Sequence, residues 1–234
     1  MKSNNINTAL ILAAGFGKRM LPLTSSVPKP LIRIKNKPLI KYCIDTLKKI
    51  GIRNIIINVH YESEQIVKYI NELDRKILIS DETSKLLDTG GAIKKAFSLT
   101  KNKNMLVMNS DVLWNNHSKK TIQSLIDQFN PIIMDTLLLT TKIENTFGYT
   151  GKGDFIKNEY NQLQRFVTNT RNKPLIYCGI QIVNRRQFDD CHDMVFSSNK
   201  IWDQNIKHNS LYTFITRKKI NHVGTKKSVM KLNK

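Results

Sequence analysis

The run Leu12-Ala13-Ala14-Gly15-Phe16-Gly17-Lys18-Arg19-Met20, followed by Pro22-Leu23-Thr24 and Pro28-Lys29-Pro30, carries the densest chemistry in the chain. Small residues let a main chain approach a ligand closely, and consecutive N–H groups in a tight loop form a concave nest for anions. Arg19 adds a planar, permanently charged fork suited to phosphate oxygens. Lys29 is flanked by two prolines, which restrict the backbone around it and hold its ammonium in place. Together these residues describe a polyphosphate site. Familiar phosphate loops do not fit it. A P-loop needs a glycine five residues before Gly17-Lys18 and a hydroxyl residue after, where this chain has Leu12 and Arg19. A dinucleotide fingerprint needs a third glycine and a later acid, and Met20 and the basic region around Lys35 stand there instead. A lone GxG pattern would serve equally in an ordinary strand-to-helix turn.

The surrounding elements must position that loop. The apolar stretch Thr8–Leu12 predicts a strand ending in the glycine loop. Pro38 opens a predicted helix with apolar positions Leu39, Ile40, Cys43, Ile44, Leu47 and Ile50 near the helical period, and Gly51 stands where a C-terminal cap belongs. Asn54–Val59 reads as a buried strand. The rhythm recurs as a helix carrying Ile66, Val67, Ile70 and Leu73, a strand around 77–79, a helix over about 90–99 and a strand over 105–108. Such alternation builds a parallel sheet with right-handed crossovers, so the Gly15 loop and Asp111 are expected at one carboxyl edge. After Pro131 apolar stretches at 132–139 and 175–183 flank a polar, glycine-containing segment over 145–171, which predicts a mixed-sheet half. A helix around 201–206, a strand near 211–215 and a short tail follow. One α/β domain over 1–234 is expected, with halves of about 1–130 and 131–234.

Composition narrows the partners. A formal net charge of +20 invites a nucleic-acid reading, but the lysines are scattered along the chain among abundant Asn and Ile, and no recognised binding motif accompanies them. Positive potential also concentrates phosphate ligands, and an anionic substrate is the expectation here, without nucleic acid. Cys43, Cys178 and Cys191 show no CxxC or Cys/His spacing, so neither disulfides nor a zinc site is expected. No stretch reaches the roughly 18 apolar residues that cross a bilayer, and the N-terminus lacks a signal-peptide apolar region. The expectation is a cytoplasmic protein away from membranes.

The spacing LAAGxGKRMxPLTxxxPKPL over 12–31 closely resembles the signature of the sugar-phosphate nucleotidylyltransferases. The resemblance continues through Asn58-Val59-His60, Asp88-Thr89-Gly90-Gly91, Asn109-Ser110-Asp111, Gly151-Lys152-Gly153-Asp154-Phe155, Tyr177-Cys178-Gly179-Ile180 and His222-Val223-Gly224-Thr225, and so spans essentially the whole chain. It is nearest to the short N-acetylmuramate 1-phosphate uridylyltransferase type. The resemblance implies a Rossmann-like three-layer fold with a mixed central sheet: a nucleotide-binding half, a sugar-binding half, and the active cleft between them.

The resemblance also implies roles. Ala13, Ala14 and Gly15, with Gly17 in the same loop, would meet the nucleoside and its phosphates through main-chain groups, and Arg19 and Lys29 would neutralise the triphosphate. Asp111, after the strand over 105–108, would hold Mg2+ or another divalent cation such as Mn2+, beside Asn109; it would otherwise only cap a turn. His222 stands where the family usually has a second carboxylate ligand, and imidazole is a softer donor. It would bind a metal, touch phosphate, or be a satisfied structural histidine. Thr89 and Gly90 would meet the base, with Asp88 in place of the usual glutamate, and Asp and Thr there would also cap a helix. Asp154 and Gly179 fall where the sugar should lie. Trp202 reads as a buried aromatic.

The implied reaction is attack by a sugar 1-phosphate oxygen on the α-phosphorus of a nucleoside triphosphate, releasing pyrophosphate. It needs neither a protein nucleophile nor a general base, because the attacking phosphate is already an anion; catalysis reduces to holding two repelling anions together. UTP with N-acetylmuramate 1-phosphate is the first expectation and GTP with mannose 1-phosphate the second. The departures at Asp88 and His222 also allow an inactive, nucleotide-binding regulatory homologue. A monomer or small homo-oligomer is expected, and because the chain ends soon after Thr225, so is a single activity without an acyltransferase-type extension.

Overall fold

The computed structural model describes residues 6–114, 118–168 and 173–234. Strand β1 (Thr8–Leu12) is apolar at nearly every position because it is covered on both faces. Two single-turn 3-10 segments, Lys18–Met20 and Lys29–Leu31, and a short hairpin of β2 (Arg33–Ile34) and β3 (Lys37–Pro38) lead into α1 (Leu39–Lys49). Gly51, just beyond α1, takes φ +87°, the left-handed turn that glycine adopts without a Cβ clash. The alternation continues through β4 (Asn54–Val59), α2 (Ser63–Leu73), β5 (Leu78–Asp81), α3 (Asp88–Ser98) and β6 (Asn104–Asn109). β4 and β6 flank β1 in parallel, with Leu12 level with both Asn58 and Asn109, and β5 adds to β4. The carboxyl ends of these strands therefore meet at one edge.

The second half comprises β7 (Val112–Trp114), α4 (Ser118–Gln128), β8 (Thr136–Lys142), β9 (Thr146–Phe147), β10 (Phe155–Lys157), β11 (Leu163–Arg165), β12 (Leu175–Asn184), α5 (Ser198–Lys207), β13 (Leu211–Thr216), β14 (Ile220–His222) and α6 (Lys226–Asn233). β12 joins the halves. It runs antiparallel to β6 on one edge and to β8 on the other, β13 pairs with β8 in parallel, and β10 and β11 extend from the start of β12. Among the described residues the result is a nine-stranded mixed sheet. A separate small sheet, β7-β14-β9, sets His222 opposite Val112.

Alternating side chains of β1 and β4 feed two cores. Ala9, Ile11, Ile55 and Ile57 pack with α1, α2 and α4, while Leu10 and Ile56 pack with α3 and α5. Helices thus cover both faces of the sheet, giving the three-layer Rossmann-like arrangement.

Several elements depart from the sequence reading. Ile132 and Ile133 do not begin a strand: Asn130 accepts the N–H of Ile132 on its side chain and that of Met134 on its carbonyl, and this turn leaves Ile132 80% exposed. The polar segment over 145–168 contains three short strands; its last positions, 169–171, lie outside the described residues. The tail forms α6, started by a capping box between Thr225 and Ser228. Among the described residues no helix is long and apolar enough to cross a membrane.

Candidate active site

Where β1, β4 and β6 end, the sheet edge opens into a cleft of about 230 Å³ lined by residues 12–15, Lys29, Pro30, Asn58, Leu86, Asp88, Thr89 and residues 109–111. A second cavity of about 290 Å³, lined by residues 15–19, Lys29 and Gly224, adjoins it through Gly15 and Lys29. The loop from 13 to 19, Lys29, Asn109, Asp111, Asp88 and Thr89 are thus brought together from four separate segments.

Lys29 is the hinge between the cavities. Its Nζ donates to Asp111 Oδ2 at 2.6 Å, with the two side chains 14% and 27% exposed. Gly17 makes this placement possible. It takes φ +65°, and a Cβ there would lie 3.0 Å from both Lys29 Cβ and Thr24 Cγ2. The Thr24 hydroxyl closes the turn by donating to the Gly17 carbonyl at 3.0 Å. Arg19 is exposed in the adjoining cavity, where its guanidinium lies against the 223–225 turn: a methyl on Gly224 would stand 3.5 Å from Nη2. Two cations therefore flank the loop, one held by a carboxylate and one facing solvent, an arrangement chemically suited to a polyanion. Phe16 at the loop tip packs edge-on against His60, with ring centroids 5.4 Å apart, and against Tyr61.

The main-chain groups of the loop are not all available to a ligand. The N–H of Ala13 donates to Asn58 Oδ1 at 2.7 Å, which leaves Ala14 and Gly15 as the open part of the turn. On the opposite wall, Asp88 takes φ +59° and its Oδ1 accepts the Thr89 N–H at 2.5 Å. The Thr89 hydroxyl accepts from Ser198 N at 2.8 Å and so starts α5 while lining the cleft. Gly90 lies behind this wall. Its N–H donates to the Phe196 carbonyl at 2.8 Å, and a Cβ on it would come within 2.4 Å of the Phe196 ring, so close packing of the 194–196 segment accounts for this glycine.

In the second half, Asp154 fastens the glycine segment to β12. Its carboxylate accepts from the Tyr149 hydroxyl at 2.9 Å and from Tyr177 N at 2.8 Å. Burial and the Asp154 charge push the Tyr149 hydroxyl up to about 12. Gly179, at φ +71°, sits at the irregularity in β12, where a Cβ would meet Val112 at 2.6 Å; it brings β12 close beneath Asn109 and Val112. Trp202 is buried, as expected of an aromatic residue there, and donates its indole N–H to Gln181 at 2.9 Å. Two polar atoms on this side, Tyr177 Oη and His222 Nε2, are buried with no hydrogen-bond partner among the described residues.

Asp111 and His222 test the fit to a divalent cation. The Asp111 carbonyl accepts Val223 N at 2.8 Å, which ties β14 to the metal-candidate loop. Burial holds the His222 imidazole below its ordinary pKa, against the opposing pull of the Asp111 and Asp154 carboxylates. Among the described residues no three His, Cys, Asp or Glu side chains converge as a cage. The Asp111 carboxylate fits Mg2+, which takes one or two protein oxygens and completes its shell with water and substrate phosphates, whereas the His222 imidazole is a softer donor.

Three participants have no role in the sequence reading: Asn58, Glu82 and Tyr149. Glu82 follows strand β5 in the way Asp111 follows β6, and that repeated position at a strand end is the signal for it.

The nucleotidyl transferase family model matches residues 8–174. The N-acetylmuramate alpha-1-phosphate uridylyltransferase of Caulobacter vibrioides is 31% identical over 199 residues, covering 83% of this chain and 82% of that protein. The probable mannose-1-phosphate guanylyltransferase 1 of Oryza sativa subsp. japonica is 30% identical over 180 residues and 74% of this chain, which spans 47% of that longer relative. Among solved structures, the inositol-1-phosphate CTP transferase from T. maritima superposes with a TM-score of 0.77 over 98% of this chain and 97% of that one, at 14% identity, a likeness of fold. The chain belongs to the nucleotidyl transferase family and is an enzyme of its sugar-1-phosphate branch.

Proposed function

We propose that this enzyme transfers UMP from UTP to N-acetylmuramate 1-phosphate, releasing pyrophosphate, and that it acts in the cytoplasm as one nucleotidyltransferase domain. The Lys29–Asp111 pair, 2.6 Å apart at the junction of the two cavities, supports the transfer chemistry of this reading. The nucleoside lies in the cleft between the 13–15 loop and the Asp88-Thr89 wall, and its phosphates run past Lys29 toward Arg19. The sugar 1-phosphate approaches from the β12 side, where Gly179 brings that strand close to Asn109 and Val112.

The attacking phosphate oxygen displaces pyrophosphate in line at the α-phosphorus, and no residue needs to become covalently attached. Lys29 and Arg19 supply fixed positive charge where two anions would otherwise repel, and they stabilise the charge that spreads over the oxygens as the bond breaks. Asp111, with water and substrate phosphate oxygens, would hold Mg2+ or Mn2+, which supplies further charge compensation when bound. The uridylyltransferase of Caulobacter vibrioides, matched over most of both chains, favours uridine and N-acetylmuramate. The guanylyltransferase likeness supports GTP with mannose 1-phosphate as the second reading.

The deciding experiment is a pyrophosphate-release screen of the four common triphosphates against a panel of sugar 1-phosphates. Turnover confined to UTP with N-acetylmuramate 1-phosphate is the expected result, and GTP with mannose 1-phosphate would establish the alternative. Thermal stabilisation by nucleotide without turnover on any sugar would point to a regulatory binding protein.

A further inference from the structure

Beneath the cleft lies a carboxylate that the reaction does not use. Glu82 is 1% exposed. Its Oε1 accepts from Asn58 Nδ2 at 2.9 Å and its Oε2 from the N–H of Leu87 at 3.0 Å. Asn58, itself buried, turns Oδ1 to the N–H of Ala13 at 2.7 Å. The backbone of Glu82 is fixed as well: its N–H donates to Val59 O at 2.8 Å, and its carbonyl accepts from His60 Nδ1 at 2.7 Å. A buried carboxylate is unfavourable unless its oxygens are hydrogen-bonded. Here both oxygens are, and their donors lead to the two opposite walls of the nucleotide cleft.

We propose that Glu82 is a positioning residue for nucleotide binding. Through Asn58 it fixes Ala13 and the start of the phosphate loop, and through Leu87 it fixes the turn that presents Asp88 and Thr89. One buried anion therefore sets the distance between the wall that meets the phosphates and the wall that meets the base. It also commits the N–H of Ala13 to the protein, which confines main-chain recognition to the following residues. The inference rests on the nucleotide-binding reading of this cleft.

The relay has a direction that can be reversed. Hydrogens point from Ala13 to Asn58, from Asn58 to Glu82, and from Leu87 to Glu82. Glu82→Gln places an amide NH2 against one of two donors, so one bond must be lost. Asn58→Asp sets a second carboxylate against the first. The double substitution Asn58→Asp with Glu82→Gln restores every pairing. The new carboxylate accepts from both Ala13 and the new amide, and the carbonyl of that amide accepts from Leu87.

The test measures the dissociation constant of Mg2+-UTP by calorimetry, and the KM for N-acetylmuramate 1-phosphate, in wild type, both single variants and the double variant. Each single variant is expected to bind UTP about tenfold more weakly, the loss that follows from one buried hydrogen bond. The sugar-phosphate KM should stay within about twofold, and the double variant should return to within about threefold of wild-type affinity, a selective loss and rescue that general destabilisation would not produce. Folded single variants that bind UTP normally, or a folded double variant as weak as the singles, would overturn the proposal. If the single variants do not fold, the double variant decides alone. If it also fails, amide exchange in the wild-type enzyme decides: protected Ala13 and Leu87 N–H groups support the relay, and rapid exchange at either removes it. A wild-type enzyme that binds no triphosphate defeats the functional reading instead, and is recognised before any variant is compared.

Discussion

Asp111→Asn removes one charge from the site while keeping its shape, and two effects of opposite sign follow. The carboxylate holds Lys29 at 2.6 Å with both side chains mostly covered, 14% and 27% exposed. A pair of this kind lies between exposed pairs, whose loss costs less than about 1 kcal/mol, and fully buried ones, whose loss costs about 3–5 kcal/mol. A loss of about 1–2 kcal/mol in stability is expected, or roughly 2–8 °C in Tm for a chain of this size. Toward the nucleotide the sign reverses. A unit charge about 4–6 Å from a phosphate is worth about 3–4 kcal/mol at an effective dielectric near 20, before solvent and salt screen it. If about 1.4 kcal/mol of that survives in an open cleft, metal-free UTP should bind about tenfold more tightly to the variant. Turnover should nevertheless fall about a hundredfold or more, because the cation loses its protein ligand and Lys29 its fixed position. Calorimetry in chelator, with pyrophosphate release at saturating Mg2+, measures both arms. A variant that turns over within threefold of wild type, or binds metal-free UTP more weakly, would refute the roles given to Asp111.

Arg19→Ala should raise the KM for triphosphate about tenfold or more while changing Tm by only about 1 °C, because the exposed guanidinium contributes charge to the ligand and little to packing; steady-state kinetics and a thermal melt read the two together. Gly90→Ala forces a methyl to within 2.4 Å of the Phe196 ring, and the overpacking should lower stability by about 2–3 kcal/mol in a denaturant titration. Native thiol titration at pH 8 should find Cys191 alone reactive, since Cys43 and Cys178 are buried, with all three cysteines reacting after denaturation. Burial pushes the Cys43 thiol up to about 12 from 9.0, so above pH 9 the unfolded chain releases a proton that the folded one keeps. Stability should therefore fall as pH rises, by about 1.4 kcal/mol per unit for this group, and Cys43→Ala should flatten that part of the denaturation profile.

The local pattern of the sequence determined the strand Thr8–Leu12, the helix after Pro38, the alternation through β6 and the edge at which Asp111 must emerge. Each follows from neighbouring side chains: apolar period, proline and glycine positions, and the handedness of crossovers. The grouping of the residues proposed to handle phosphate was legible for the same reason, since they lie within twenty consecutive residues. Only the tertiary structure decided that Lys29 pairs with Asp111, 82 residues away, and that Asn58, held by Glu82, accepts the N–H of Ala13. It likewise decided that Gly90 and Gly179 serve close packing against Phe196 and Val112. A glycine or an acid at a strand end has the same letter whether it meets a ligand or another segment of the chain. What it meets is fixed when distant backbones close to within hydrogen-bond or van der Waals distance and every buried donor must find an acceptor.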